Sequence, residues 1–168
     1  MAVTQFNLRE HQRAERKLLL TVVEWSNGST QEREIVGRRT EDSSIDYNAD
    51  IETTTDVLGI NYTDVNRTQP QQDFDPYLIL GGSKLGALLN DIRRRNALSE
   101  LDQFNVYIIT AFAGTTGAYE AEKHTGCTIA INSIGGDTNV NMPISVYFSN
   151  DVTLGTVDKL ADDFVFTA

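Results

Sequence analysis

The sequence predicts a mostly β fold: a β-sandwich or small barrel with one flanking α-helix and a long acidic hairpin excursion. Three observations carry that expectation. From Leu18 onward, β-branched and aromatic residues gather in short runs punctuated by Gly, Asn and Asp, as strands and tight turns require. A single segment, around Leu85, Leu88, Leu89 and Ile92, repeats its apolar residues at helical spacing. Between positions 41 and 75, nine acids (Glu41, Asp42, Asp46, Asp50, Glu52, Asp56, Asp64, Asp73 and Asp75) stand against one cation, Arg67, so this stretch holds -8 of the formal charge of -10.

Residues 1–17 read as a charged N-terminal arm carrying Arg9, Arg13, Arg16 and Lys17. The following Leu18-Leu19-Leu20 gives it a superficial likeness to a signal peptide, but the apolar run is short, ends in Glu24 and lacks a small-residue cleavage pattern. Residues 18–168 read as one β domain. Asn27-Gly28-Ser29 is a hairpin turn between the run ending at Trp25 and a second strand through Ile35 and Val36, because Asn and Gly accept positive φ.

In 45–53, Ile45, Tyr47, Ala49 and Ile51 alternate with Asp46, Asn48, Asp50 and Glu52, which predicts one strand with an apolar and an acidic face. Val57, Leu58, Ile60 and Tyr62 around Gly59 predict a bend and a return strand. Pro70, Asp75 and Pro76 break the pattern before a short apolar run at 77–80.

Ser83 is the expected N-cap of the helix, and Arg93-Arg94-Arg95 complement its dipole at the other end. Strands are expected at 104–112, 127–134, 140–148 and 164–166, with 114–126 as a connection and Gly135-Gly136-Asp137 as a turn.

With 168 residues, 40% of them hydrophobic and 23% charged, the chain is large enough to bury a core, which excludes a disordered or collagen-like protein. Its acidity is the wrong sign for gripping a polyphosphate. No stretch approaches the ~20 apolar residues of a membrane helix. Cys127 stands alone, so no intrachain disulfide or cysteine metal cluster is expected, and synthesis inside a cell is the simplest reading.

No catalytic, metal-binding or cofactor-binding residue is expected. Gly81-Gly82-Ser83-Lys84 precedes a helix but lacks the Walker spacing. His124 and Cys127 fall short of the three or four ligands zinc takes, and no nucleophile elbow is present. Asp73 and Asp75 read as a solvated turn before Pro76. Asn27-Gly28-Ser29, Asn61-Tyr62-Thr63 and Asn66-Arg67-Thr68 match the glycosylation pattern, which has meaning only on a secretory route. Arg93, Arg94 and Arg95 are a solvated helix end or, in an acidic protein, a contact for the acids of a neighbouring copy.

The segment Ile51-Glu52-Thr53-Thr54-Thr55-Asp56-Val57-Leu58-Gly59, continuing through Tyr62-Thr63-Asp64-Val65, Thr68-Gln69-Pro70 and Phe74-Asp75-Pro76-Tyr77, resembles the tail tube (major tail) proteins of tailed bacteriophages. The order of elements supports the resemblance over most of the chain. It implies a non-enzymatic virion protein, made in the host cytoplasm. Six-subunit rings of it would stack into a hollow tube through which genome DNA passes without specific binding and without a membrane.

Under that resemblance the strand at 45–53 lies on the inner wall, its apolar face on the subunit core and Asp46, Asp50 and Glu52 facing the lumen. Other tail proteins meet the tube ends. Contacts between subunits or rings are expected in 5–17, 69–75 and 161–168, with Arg13, Arg16, Lys17, Asp73, Asp75 and the helix-end arginines as candidates. A different class of function is a β-sandwich carbohydrate-binding module that stacks sugars on Trp25, Tyr47 or Tyr62. A carboxylate-based hydrolase is a third.

Overall fold

Gly28, at φ 71°, makes the first turn possible and joins β1 (Leu19–Asn27) to β2 (Thr30–Val36), with Asn27 opposite Thr30. This computed structural model describes residues 3–168. The remaining elements are β3 (Ile45–Asp46), β4 (Asp50–Thr55), β5 (Asn61–Arg67), β6 (Gln71–Phe74), α1 (Lys84–Arg95), β7 (Phe104–Thr115), β8 (Ala118–Ile131), β9 (Ile144–Tyr147), β10 (Val152–Val157) and β11 (Phe166–Thr167), with short 3-10 turns at Arg16–Leu18 and Leu98–Glu100.

The fold is mostly β, with one large antiparallel sheet and a single α-helix. The sheet runs β2-β1-β7-β8-β9-β6-β3, with β10 also on β8 and β11 on β10; β4 and β5 form a separate two-stranded sheet. β8 is the joint between two layers. Its residues up to Cys127 pair with β7, whereas Thr128 to Ile131 pair with β9, and Thr125 and Gly126 (φ 74°) make the corner.

Two apolar clusters lie on opposite faces of β1 and β7. Val23, Val106 and Ile108 join Leu85, Leu89 and Ile92 of α1 in the main core, while Val22, Tyr107 and Ile109 meet Val157 and Phe164. A strand covered on both sides reads as a continuous apolar run, which is what 106–109 does.

Helix α1 begins as expected. The Ser83 hydroxyl accepts from Gly86 N at 3.1 Å and donates to Glu34 Oε1 at 2.7 Å, while Leu85 N donates to Glu34 Oε2 at 2.9 Å. Asn96, at φ 53°, ends it. Ser83→Ala removes both hydroxyl bonds and is expected to cost about 1–2 kcal/mol in urea unfolding.

Several expectations are corrected. Residues 114–126 are not a connection but the last two residues of β7, the tight turn at Thr116-Gly117 and the part of β8 from Ala118 to Gly126. The charges of Glu120, Glu122 and Lys123 conceal a strand whose Ala121 and His124 are buried. The stretch 77–80 forms no strand, β9 is shorter than 140–148, and β10 has no counterpart in the sequence reading. The expected strand at 45–53 is two pieces: Asn48, at φ 47°, breaks it, and only Ile45 and Asp46 join the large sheet. The N-terminal arm is docked on β7, where Asn7 N donates to Phe112 O at 2.9 Å and the Phe6 and Phe112 rings meet edge to face at 5.6 Å.

Candidate assembly surface

The β4–β5 hairpin is built from its tip. Asp56 Oδ1 accepts from Leu58 N at 2.8 Å and Ile60 N at 2.9 Å, and Gly59 takes φ 78°. These backbone bonds, with a further one from the Tyr62 hydroxyl, hold the Asp56 carboxyl below the usual carboxylate range against a small effect of burial. At its base, Gln69 N donates to Tyr47 O at 2.7 Å and Asn48 Nδ2 to Gln69 O at 3.0 Å.

Register sorts the residues onto two faces. Ile51 stands opposite Val65, Thr53 opposite Thr63 and Thr55 opposite Asn61; Thr53 and Thr63 hydroxyls are 3.2 Å apart, and Thr55 donates to Asn61 at 2.7 Å. The other face sets Glu52 against Asp64, a like-charge pair that destabilises a free hairpin. Every residue of both strands is exposed, with Ile51 at 60% and Val65 at 62%. The hairpin therefore does not lay its apolar face on the subunit core, contrary to expectation: once Asn48 turns the chain away, nothing of the body lies under Ile51.

Asp46, Asp50 and Glu52 are all exposed but do not share a strand; Asp46 lies on β3 and the other two on β4, with Arg67 3.7 Å from Asp50. Arg13 is exposed, and Lys17 pairs with Glu15 at 2.8 Å, which raises the Lys17 ammonium above its ordinary value. Arg16 ties the arm to the body by donating to Leu19 O at 2.6 Å and Ser43 O at 2.7 Å. Asp73 sits on β6 with its carboxyl lowered by hydrogen bonds from Ser145 and Gln71, and Asp75 accepts from Asn141 at 3.1 Å. On α1, Arg93 donates to Asn90 at 2.8 Å, and Arg95 bridges Asp91 and Glu100, leaving Arg94 as the least committed of the three.

The other candidates resolve into packing. His124 is buried with Nδ1 3.0 Å from Ser149 O and Nε2 3.8 Å from Glu122, and the Cys127 thiol donates to His124 O at 3.5 Å. Among the described residues no three His, Cys, Asp or Glu side chains are placed to share a metal. Trp25 is 6% exposed in the core, which removes it as a sugar-stacking platform.

Sequence reasoning missed a buried charge network. Glu24, 3% exposed, accepts from Arg33 Nε at 2.5 Å, Asn105 Nδ2 at 3.1 Å and Tyr107 Oη at 3.1 Å, with Lys123 at 3.9 Å. Arg33 lies over the rings of Phe164 and Tyr107, 4.4 and 5.3 Å from their centroids, and donates to Phe164 O at 2.6 Å. It thereby fastens the C-terminal segment between β10 and β11 across the second core. Glu24 interrupting an apolar run was the available signal. Beside the end of β2 opens a groove of about 950 Å³, bounded by the segments 37–43 and 80–84 and by Ala161 and Asp162.

No family model matches the chain, and no curated protein sequence matches it. Among solved structures it is similar to a chain of the PVC sheath-tube complex of an extracellular contractile injection system in its extended state, with a TM-score of 0.50 and 13% identity over 88% of this chain and 94% of that one. It is also similar to a chain of the anti-feeding prophage cap that terminates the tube, with a TM-score of 0.51 and 15% identity over 93% of this chain and 99% of that one. The likeness is one of fold and runs nearly end to end in both comparisons.

Proposed function

We propose that this chain is a structural subunit that assembles with its own copies, six to a ring, into stacked rings forming the hollow tube of a phage tail or tail-like particle, and that it catalyses no reaction. One observation carries the reading: a two-stranded sheet, with Ile51 and Val65 exposed on one face and Glu52 and Asp64 on the other, projects from the body with every residue of both strands exposed. An isolated hairpin of this kind is marginal in water, and more so with Glu52 opposite Asp64. It gains stability when a neighbouring copy covers Ile51 and Val65.

The fold supports the same conclusion, since it is shared from end to end with chains of an injection-system sheath-tube complex and a tube cap. Heterologous contacts that close give a ring, and contacts along the axis stack rings without fixing a length. Other proteins of the particle bind the ends.

In this assembly the acidic face carrying Asp50 and Glu52, with Asp46 at its root, borders the passage. A negative wall, on which the one cation Arg67 lies beside Asp50, repels phosphates and does little to displace the counterions condensed on DNA, so genome DNA slides without sticking. Arg13, Lys17, Arg93 and Arg94, with Asp73 and Asp75, lie at contacts between copies, where opposite charges set register.

Electron microscopy of the concentrated protein, with light scattering on the same sample, tests the reading. Hollow tubes are expected, with density for Asp46, Asp50 and Glu52 at the inner radius in a reconstruction. Those acids on the outer wall would remove the lumen assignment, and a particle that stays monomeric at every concentration would remove the tube.

A further inference from the structure

His124, on β8, has an acceptor at each ring nitrogen. The ring is buried, and Nδ1 lies 3.0 Å from the carbonyl oxygen of Ser149. A carbonyl only accepts, so Nδ1 is the nitrogen that carries a hydrogen. Nε2 is buried as well and has no hydrogen-bond partner among the described residues. It faces the Glu122 carboxylate, 3.8 Å away on the same side of the strand. In the neutral ring a lone pair therefore meets a carboxylate oxygen, acceptor against acceptor. The imidazolium turns both nitrogens into donors and makes the Glu122 contact attractive.

The other neighbours do not reverse this preference. β7 and β10 set Val106 and Val152 opposite His124, and the Phe148 ring meets it edge to face at 5.0 Å. The Cys127 thiol donates to the His124 carbonyl at 3.5 Å, and burial pushes that thiol up, which keeps it neutral. Lys123 points to the opposite face of the sheet, over the Tyr107 ring and toward Glu24. Asp151 is exposed, and its main-chain carbonyl accepts from Thr125 N at 3.0 Å. Burial alone lowers the His124 imidazolium, but Glu122 and the Ser149 carbonyl outweigh it, and the net shift is upward.

The pair stands under the root of the β4–β5 hairpin. Tyr47, the last residue before the break at Asn48, has its hydroxyl raised by burial and by the charge of Glu122, and its carbonyl accepts from Gln69 N at 2.7 Å. Phe148, whose ring packs on His124, donates its N–H to Pro70 O at 3.0 Å. The chain entering the hairpin thus borders Glu122, and the chain leaving it is tied to the residue that packs on His124. A cleft of about 240 Å³ beside Asn48, Gln69, Pro70 and Phe148 leaves this root room to move.

We propose that His124 is a proton-held latch at the hairpin root: as the imidazolium it bridges Glu122 and the Ser149 carbonyl and steadies the segments at Tyr47 and Pro70, and on losing its proton it lets the hairpin swing about Asn48. The latch lies within one subunit and does not depend on the tube reading. The folded chain holds this proton more tightly than an ordinary histidine, which titrates near 6.5. Its contribution is therefore complete below that pH and is lost as pH rises through the folded value.

Nuclear magnetic resonance of the full chain carrying His11→Gln, which leaves His124 as the single imidazole signal, tests the latch. His124 is expected to titrate above 6.5, and lower in the further variant Glu122→Gln. As pH rises through the His124 midpoint, hydrogen-exchange protection of the Gln69 and Phe148 amides, corrected for the intrinsic effect of pH, should fall about fivefold, the worth of one modest buried interaction. The Met142 amide, bonded to Tyr77 O at 2.9 Å in the main core, should keep its protection. Glu122→Gln should show the weaker root protection already below the midpoint. A midpoint at or below 6.5 overturns the proton-held ring, and one unmoved by Glu122→Gln overturns the pairing. Root amides whose protection stays constant while His124 titrates overturn the latch.

Discussion

Glu24→Ala is expected to lower the free energy of unfolding by about 3 kcal/mol at pH 7, the largest effect of any single charged residue in the chain. Glu24 is buried and accepts from three side chains, so its loss strands the Arg33 guanidinium, the Asn105 amide and the Tyr107 hydroxyl together. Breaking a buried pair by deleting one member costs about 3–5 kcal/mol, because the surviving charge keeps its desolvation cost without compensation. Arg33 retains some contact with water, which sets the expectation at the lower end. Stranding Arg33 also loosens Phe164, whose carbonyl and ring it holds.

The same site gives a pH dependence with a definite sign. Burial alone pushes the Glu24 carboxyl up, but the hydrogen bonds from Arg33 and Asn105 and the charges of Arg33 and Lys123 outweigh it, and the net shift is downward. A group whose folded pKa lies below its unfolded value contributes stability above the unfolded value, near 4.5, and loses it as pH falls through the folded one. Glu24→Gln imitates the protonated state. The stability gap between wild type and Glu24→Gln, measured by urea unfolding, should be full at pH 7 and close below the folded pKa. A gap that widens on acidification would show that Glu24 does not carry a stabilising negative charge.

This network marks the boundary of what the sequence discloses. The helix was legible because Leu85, Leu89 and Ile92 obey a period that a single sheet-facing stripe imposes, and Ser83 caps it as its side chain predicts. The first hairpin was legible from Gly28 for the same local reason. Glu24 and Arg33 were not, since each has solvated look-alikes elsewhere in the chain and only the cross-strand pairing of β1 and β2 sets them opposite each other. β8 was hidden by charges: Glu120, Glu122 and Lys123 imitate a loop while their neighbours are buried. For the hairpin, alternation reported sidedness within a segment but not where the chain breaks: Asn48 divides 45–53 into two strands and leaves only Ile51 of the expected apolar face on β4. The acids named for the lumen are thus divided between two strands, Asp46 on β3 and Asp50 and Glu52 on β4.

A double substitution, Ile51→Thr with Val65→Thr, is expected to leave the monomer's unfolding free energy unchanged within about 0.5 kcal/mol while raising the concentration needed for assembly on the order of a hundredfold. Both residues are more than half exposed in the single subunit, so little apolar burial is lost on replacing them there. Threonine keeps the strand propensity and extends the ladder that Thr53 and Thr63 already form, so the hairpin itself persists. What disappears is the apolar surface a neighbouring copy covers. Burying the remaining area of an isoleucine and a valine is worth about 1–2 kcal/mol each, and the sum accounts for the expected rise in threshold. Unfolding in urea and sedimentation of the same two preparations separate the possibilities. A destabilised monomer would mean that the pair packs within its own subunit in solution. Tubes at the wild-type threshold would mean that this face borders no neighbour, and the hairpin would then have to stand unaided with Glu52 facing Asp64, which its own electrostatics opposes.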